Sequence, residues 1–105
     1  MTKYLVLYRS TLSLDQQMGS TTPEEREASM NAWMAWGASA GEALVDWGVP
    51  TMPTSADDPG PAGWIGGYSI LAADDLDGVR AVLSSHPHNA VGTIEVLQML
   101  DMPGA

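Results

Sequence analysis

Apolar positions along the chain fall into alternating short runs and helical stripes. Tyr4 to Tyr8 (Tyr-Leu-Val-Leu-Tyr) is short, aromatic and β-branched, as a buried strand is. Residues 10–22 are mostly polar and read as a loop. Thr22-Pro23-Glu24-Glu25 then opens a helix: Thr22 can cap, Pro23 suits the first helical position, and two glutamates sit at the positive end of the dipole. Met30, Trp33, Gly37, Ala40 and Gly41 share one stripe of that helix, with Met34 and Trp36 beside it. Each glycine costs a helix roughly 1 kcal/mol against alanine, so close packing or a C-terminal cap is expected at Gly37 and Gly41.

Ala43 to Trp47 reads as a second strand, stopped by Gly48 and Pro50. Residues 51–63 are rich in proline and glycine and form a loop or lid. Trp64 to Ala72 is a third strand, in which Gly66-Gly67 suggests a bulge. Asp74 or Asp75 caps a second helix whose apolar face is Leu76, Val79, Val82 and Leu83. Ser84-Ser85-His86-Pro87 ends it. Gly92 to Leu100 is the fourth strand, with Ile94, Val96 and Gln98 on one side and Glu95, Leu97 and Met99 on the other. Residues 102–105 are a tail.

The order β-α-β-β-α-β predicts an α+β, ferredoxin-like fold: a four-stranded antiparallel sheet with both helices on one face. The other face needs cover. Two such sheets packed face to face give a dimeric α/β barrel, so a homodimer through the open sheet face is expected. The chain has 105 residues, enough for one core, and is read as a single domain over 1–105.

Charge narrows the function. Four basic residues face 13 acidic ones, a net charge of −9, and no basic stripe offsets it. Nucleic acid and anionic membrane surfaces are disfavoured as partners. With no cysteine, disulfides, thiolate catalysis and cysteine zinc sites are excluded. No segment has the roughly 18 apolar residues that span a membrane, and the N-terminal run closed by Arg9 is too short for a signal peptide, so a cytoplasmic location is expected. Phosphate loops, nucleophile elbows and dinucleotide fingerprints are missing, and no cofactor is expected.

Five residues stand out as site candidates. Asp46 is an acid in a strand with apolar flanks, suited to a base or ligand anchor, or else to accepting backbone hydrogen bonds at a strand end or pairing with Arg9 or Arg80. His88, with His86 two residues before it, could shuttle protons; a metal would need a third ligand such as Asp46 or Asp74. The alternative for both histidines is an exposed helix end. Trp33 and Trp36 are candidate pocket walls, or core, and Tyr68 is a hydroxyl donor on the third strand. Tyr68 and Ser69 straddle that strand, so only one of them faces a pocket.

Several stretches in this order and spacing resemble the YCII-related family of small dimeric α+β barrel proteins. They are Lys3-Tyr4-Leu5-Val6-Leu7-Tyr8, Trp33-Met34-Ala35-Trp36-Gly37, Leu44-Val45-Asp46-Trp47-Gly48, Gly67-Tyr68-Ser69-Ile70-Leu71 with Asp75-Leu76-Asp77, and Gly92-Thr93-Ile94-Glu95-Val96. The resemblance implies the fold and the dimer, and no single activity. Some members carry a helix histidine and a nearby aspartate, proposed as an acid–base pair. Here Met30 stands roughly where that histidine would fall, so the pair does not carry over. The expected function is a small-molecule pocket, with cofactor-free acid/base chemistry of isomerase, lyase or monooxygenase type. There Asp46 would act as base, with His88 or Tyr68 as its partner. The alternatives are a non-catalytic binding or accessory module, and a structural partner using its acidic loops.

Overall fold

A computed structural model describes residues 1–12, 16, 19 and 21–101. Much of the expected 10–22 loop and the whole 102–105 tail lie outside the described residues. The elements are β1 (Thr2–Ser10), α1 (Pro23–Ala40), a 3-10 turn (Gly41–Ala43), β2 (Leu44–Asp46), β3 (Trp64–Ala73), α2 (Leu76–Leu83), a second 3-10 turn (Pro87–Ala90) and β4 (Thr93–Gln98). The strands form one sheet in the order β2-β3-β1-β4, every neighbouring pair antiparallel. This is the ferredoxin-like arrangement expected from the sequence.

The helix starts follow their local chemistry. Thr22 accepts from the Glu25 N–H, and the Glu25 carboxylate accepts from the Thr22 N–H, a complete capping box. Asp75, not Asp74, caps α2 by accepting from Gly78 N–H at 2.8 Å. At the far end of α2 the last carbonyls have no partner within the helix. Trp36 Nε1–H reaches Val82 O at 3.0 Å, and the Asn89 side-chain amide reaches Leu83 O at 2.8 Å. The first of these bonds stitches α1 to α2.

Alternation along the strands divides the sheet into two faces. Tyr4, Val6 and Tyr8 of β1 and Ser69 and Leu71 of β3 are buried on the helix side, in register as Tyr4↔Leu71, Val6↔Ser69 and Tyr8↔Gly67. Trp36, Val79 and Leu83 close the core from the helices. Val6, Leu71 and Val79 are fully buried, each contributing about 2 kcal/mol of apolar burial. On the other face Leu5, Leu7, Tyr68 and Ile70 are only half-buried and Leu97 is exposed. The expected bulge is present: register shifts between Tyr8 and Arg9, whose partners on β3 are Gly67 and Ile65.

Three local expectations need correction. Met30 does not belong to the packing stripe of α1; it is 62% exposed, and the helix packs through Trp33, Trp36, Gly37 and Ala40. The second strand is three residues long, because the 3-10 turn takes up Gly41 to Ala43 and Trp47 leaves the ladder. Trp47 instead lays its indole on Gly37, where any Cβ would collide with the ring carbons, so close packing accounts for that glycine. Gly41 is the C-terminal cap, with φ 58°. Finally, the segment holding His86 and His88 is not an exposed helix end: both side chains are buried.

Candidate functional site

His86 sits 2% exposed inside a cage of rings at the end of the sheet where β1 finishes. Tyr8 stacks on its imidazole with centroids 4.7 Å apart and planes 29° apart. Trp33 stands perpendicular to it at 4.3 Å, and Trp36 tilts against it at 4.3 Å. Regular elements supply these walls. Tyr8 is the third inward residue of β1, and Trp33 and Trp36 lie one helical turn apart on α1.

Hydrogen bonding fixes the tautomers of both histidines. His86 Nδ1 accepts the backbone N–H of His88 at 2.9 Å, so the proton of the neutral ring is on Nε2. That Nε2–H is buried and has no hydrogen-bond partner among the described residues. His88 Nε2 lies 2.7 Å from Arg9 O; a carbonyl only accepts, so Nε2 carries the hydrogen and Nδ1 keeps its lone pair. The two imidazoles are 6.5 Å apart. Burial, and secondarily repulsion from His88 once that ring is itself protonated, lowers the His86 pKa from 6.5 to about 4, so His86 is neutral at pH 7.

A hydrogen-bonded chain runs out of the cage. Tyr8 OH donates to Ser69 Oγ at 2.8 Å, and Ser69 Oγ donates to Trp47 O at 2.8 Å. Burial raises the Tyr8 pKa, with the Ser69 bond opposing, so the phenol keeps its proton at neutral pH. The arrangement offers a neutral N–H donor (His86), a ring nitrogen able to take a proton (His88) and aromatic walls.

The candidates read from the sequence divide into two groups. Trp33, Trp36 and His88 meet around His86. Asp46 does not join them: it ends β2 at the opposite edge of the sheet, is exposed, and accepts the Gly48 N–H at 2.8 Å. Tyr68 faces the other side of the sheet from the two tryptophans, paired with Leu7. Asp74 is exposed as well, and among the described residues no three His, Asp or Glu side chains are grouped to hold a metal. Tyr8 is not among the sequence candidates, and of the pair Tyr68 and Ser69 it is Ser69 that faces the helices. The signal for Tyr8 and Ser69 was the inward alternation of Tyr4, Val6 and Tyr8, and the strand register that turns Ser69, not Tyr68, toward the helices. No helix among the described residues is long and apolar enough to cross a membrane.

Comparison with known proteins adds a fold and a family. No curated protein matches the chain. Among solved structures it is similar to 5-chloro-2-hydroxyhydroquinone dehydrochlorinase from Burkholderia phenoliruptrix AC1100, determined in complex with 2,5-dihydroxybenzoquinone. The TM-score is 0.58 at 14% identity, covering 96% of each chain, a likeness of fold. The model of the YCII-related domain matches residues 3–103, and on that match the chain belongs to the YCII-related family.

Proposed function

We propose that the protein binds a small planar molecule bearing an oxygen acceptor in the cage around His86, and moves a proton on it without a cofactor. One observation carries this reading: the Nε2–H of His86 is buried, its tautomer is fixed, and it has no hydrogen-bond partner among the described residues. A buried donor left unpaired costs roughly 1–3 kcal/mol, a cost that a ligand oxygen would remove. In this reading His88 Nδ1 takes a proton from the ligand, and the electron pair left behind delocalises onto an oxygen. His86 Nε2–H donates to that oxygen as its charge grows. Trp33, the least buried ring of the cage, must move aside to admit the ligand. The bound 2,5-dihydroxybenzoquinone and the named dehydrochlorination of the structural neighbour are of the chemical kind this reading calls for.

The departure of α1 from the family's helix histidine, with an exposed Met30 in that region, favours a second reading, a binding module without turnover. In either case we propose a homodimer through the open sheet face, where Leu5, Leu7, Tyr68, Ile70 and Leu97 await cover; sedimentation equilibrium measures it directly.

Calorimetric titration with 2,5-dihydroxybenzoquinone and a panel of hydroxylated hydroquinones tests the site. Binding that weakens at least tenfold in His86→Asn is expected. An affinity in His86→Asn equal to that of wild type, or no binding by any compound, refutes it. Turnover lost in His88→Gln with affinity retained marks an enzyme; a wild type that binds without turnover marks the binding module.

A further inference from the structure

A second concave site lies away from the His86 cage, where the 51–59 segment meets the ends of β1 and β3. It is a groove of about 430 Å³, lined chiefly by Arg9, Thr51, Met52, Pro53, Pro59 and Trp64. The groove is open to solvent along the side formed by the exposed Met52, Pro53 and Pro59. Both banks are anchored to the sheet. Thr51 N–H donates to Gly66 O at 3.0 Å and its hydroxyl to Ile65 O at 3.1 Å. The other bank turns at 60–63, where Gly63 N–H donates to Gly60 O at 3.1 Å, and Gly63 lies so close to Ser10 O that a Cβ would collide with it.

Arg9 is the cation of this groove and is held rigidly. Its Nε donates to Glu95 Oε1 at 3.0 Å and its Nη1 to Gly63 O at 3.1 Å. These two bonds use the Nε edge and part of one amino group. Nη2 has no hydrogen bond among the described residues, which leaves donors of the guanidinium fork unspent. A planar fork of this kind matches a carboxylate bidentately. Around it the indole of Trp64, the flat rings of Pro53 and Pro59 and the pliable Met52 thioether make apolar walls suited to a single ring.

We propose that this groove binds a small aromatic carboxylate, its carboxylate on the free donors of Arg9 and its ring against Trp64. The walls of the groove and of the cage share no residue, and the two sites adjoin through the backbone of Arg9, whose carbonyl lies 2.7 Å from His88 Nε2. Glu95 supplies the discriminating handle. It competes for Arg9 and its charge repels an incoming anion, so removing that charge strengthens binding.

The test is calorimetric titration of the full chain with benzoate, and with benzamide as its neutral isostere. Wild type is expected to bind benzoate at least tenfold more tightly than benzamide. Glu95→Gln is expected to raise benzoate affinity about three- to tenfold and leave benzamide unchanged. Arg9→Lys is expected to lower benzoate affinity at least fivefold, and Trp64→Leu to weaken both compounds. Equal affinity for the two compounds in wild type, no benzoate binding, or a Glu95→Gln variant that binds benzoate no better overturns the proposal. Arg9 would then be only the tie between the loop and β4. Loss of quinone binding in His86→Asn with benzoate binding retained separates the two sites.

Discussion

Acid should unfold this protein partly through His86. In the folded chain the imidazole is buried among Tyr8, Trp33 and Trp36, and its Nδ1 lone pair already accepts the His88 N–H at 2.9 Å. Protonation would desolvate a cation, place it near His88 and break that bond. The folded pKa is lowered to about 4, against 6.5 for an unfolded histidine. Between those values the unfolded chain binds the proton and the folded chain does not. Stability therefore falls as pH drops from 6.5 to 4, and above 6.5 the group contributes no slope. The loss by pH 4 is roughly 3 kcal/mol, a large part of the 5–15 kcal/mol of a typical domain. With a urea slope of about 1.5 kcal/mol/M, the midpoint falls by roughly 2 M.

Urea titrations at pH 8, 7, 6, 5 and 4 measure this effect, alongside His86→Asn. Asparagine can still accept from the His88 N–H but does not titrate. The carboxylates contribute to both curves, so the difference between them isolates His86. The variant is expected to be less stable at pH 8 yet to lose about 3 kcal/mol less than wild type on going to pH 4. Parallel curves refute the reasoning. So does an NMR titration of the wild-type His86 ring with a midpoint near 6.5, which needs no variant to fold.

Other substitutions probe separate joints. Gly92→Ala should cost about 2–3 kcal/mol in urea unfolding, because its Cβ would collide with Arg9 O and crowd the His88 ring bonded to that oxygen. An unchanged midpoint would mean the turn moves freely. Thr22→Ala removes half the capping box of α1 and should cost about 1 kcal/mol, with helix-end amide exchange accelerating. Asp46→Asn keeps an acceptor for Gly48 N–H and should leave both stability and quinone affinity within error; a large affinity loss would bring Asp46 back into the site.

The fold was legible because its signals are local. Capping at Thr22, the inward alternation of β1 and the 3.6-residue face of α2 each concern a few neighbouring residues. What escaped were interactions settled by packing. Met30 shares a helical stripe with Trp33, but α1 is rotated so that Trp36 reaches Val82 O, and this turns Met30 to solvent. The second strand looked longer than it is because Ala43 and Trp47 are apolar. Trp47 is drawn off the ladder by the flat surface of Gly37 instead.

The site shows the same division. Trp33, Trp36 and His88, read from their chemistry as candidates, are brought together around His86. Their centre, His86, is hard to see in the sequence, because His86-Pro87-His88 after a helix looks like a solvated turn when read alone. Its burial depends on Tyr8, which lies 78 positions earlier in the chain and reaches the imidazole through the sheet register. The sequence held one indirect sign of this arrangement, four tryptophans and no phenylalanine. Phenylalanine would fill a core equally well, but it could not donate. Trp36 both walls the imidazole and gives its N–H to an end carbonyl of α2, so one side chain completes the helix and shapes the cage. The matching donor on His86 has no such carbonyl among the described residues, and in the proposed reading a ligand oxygen takes that place.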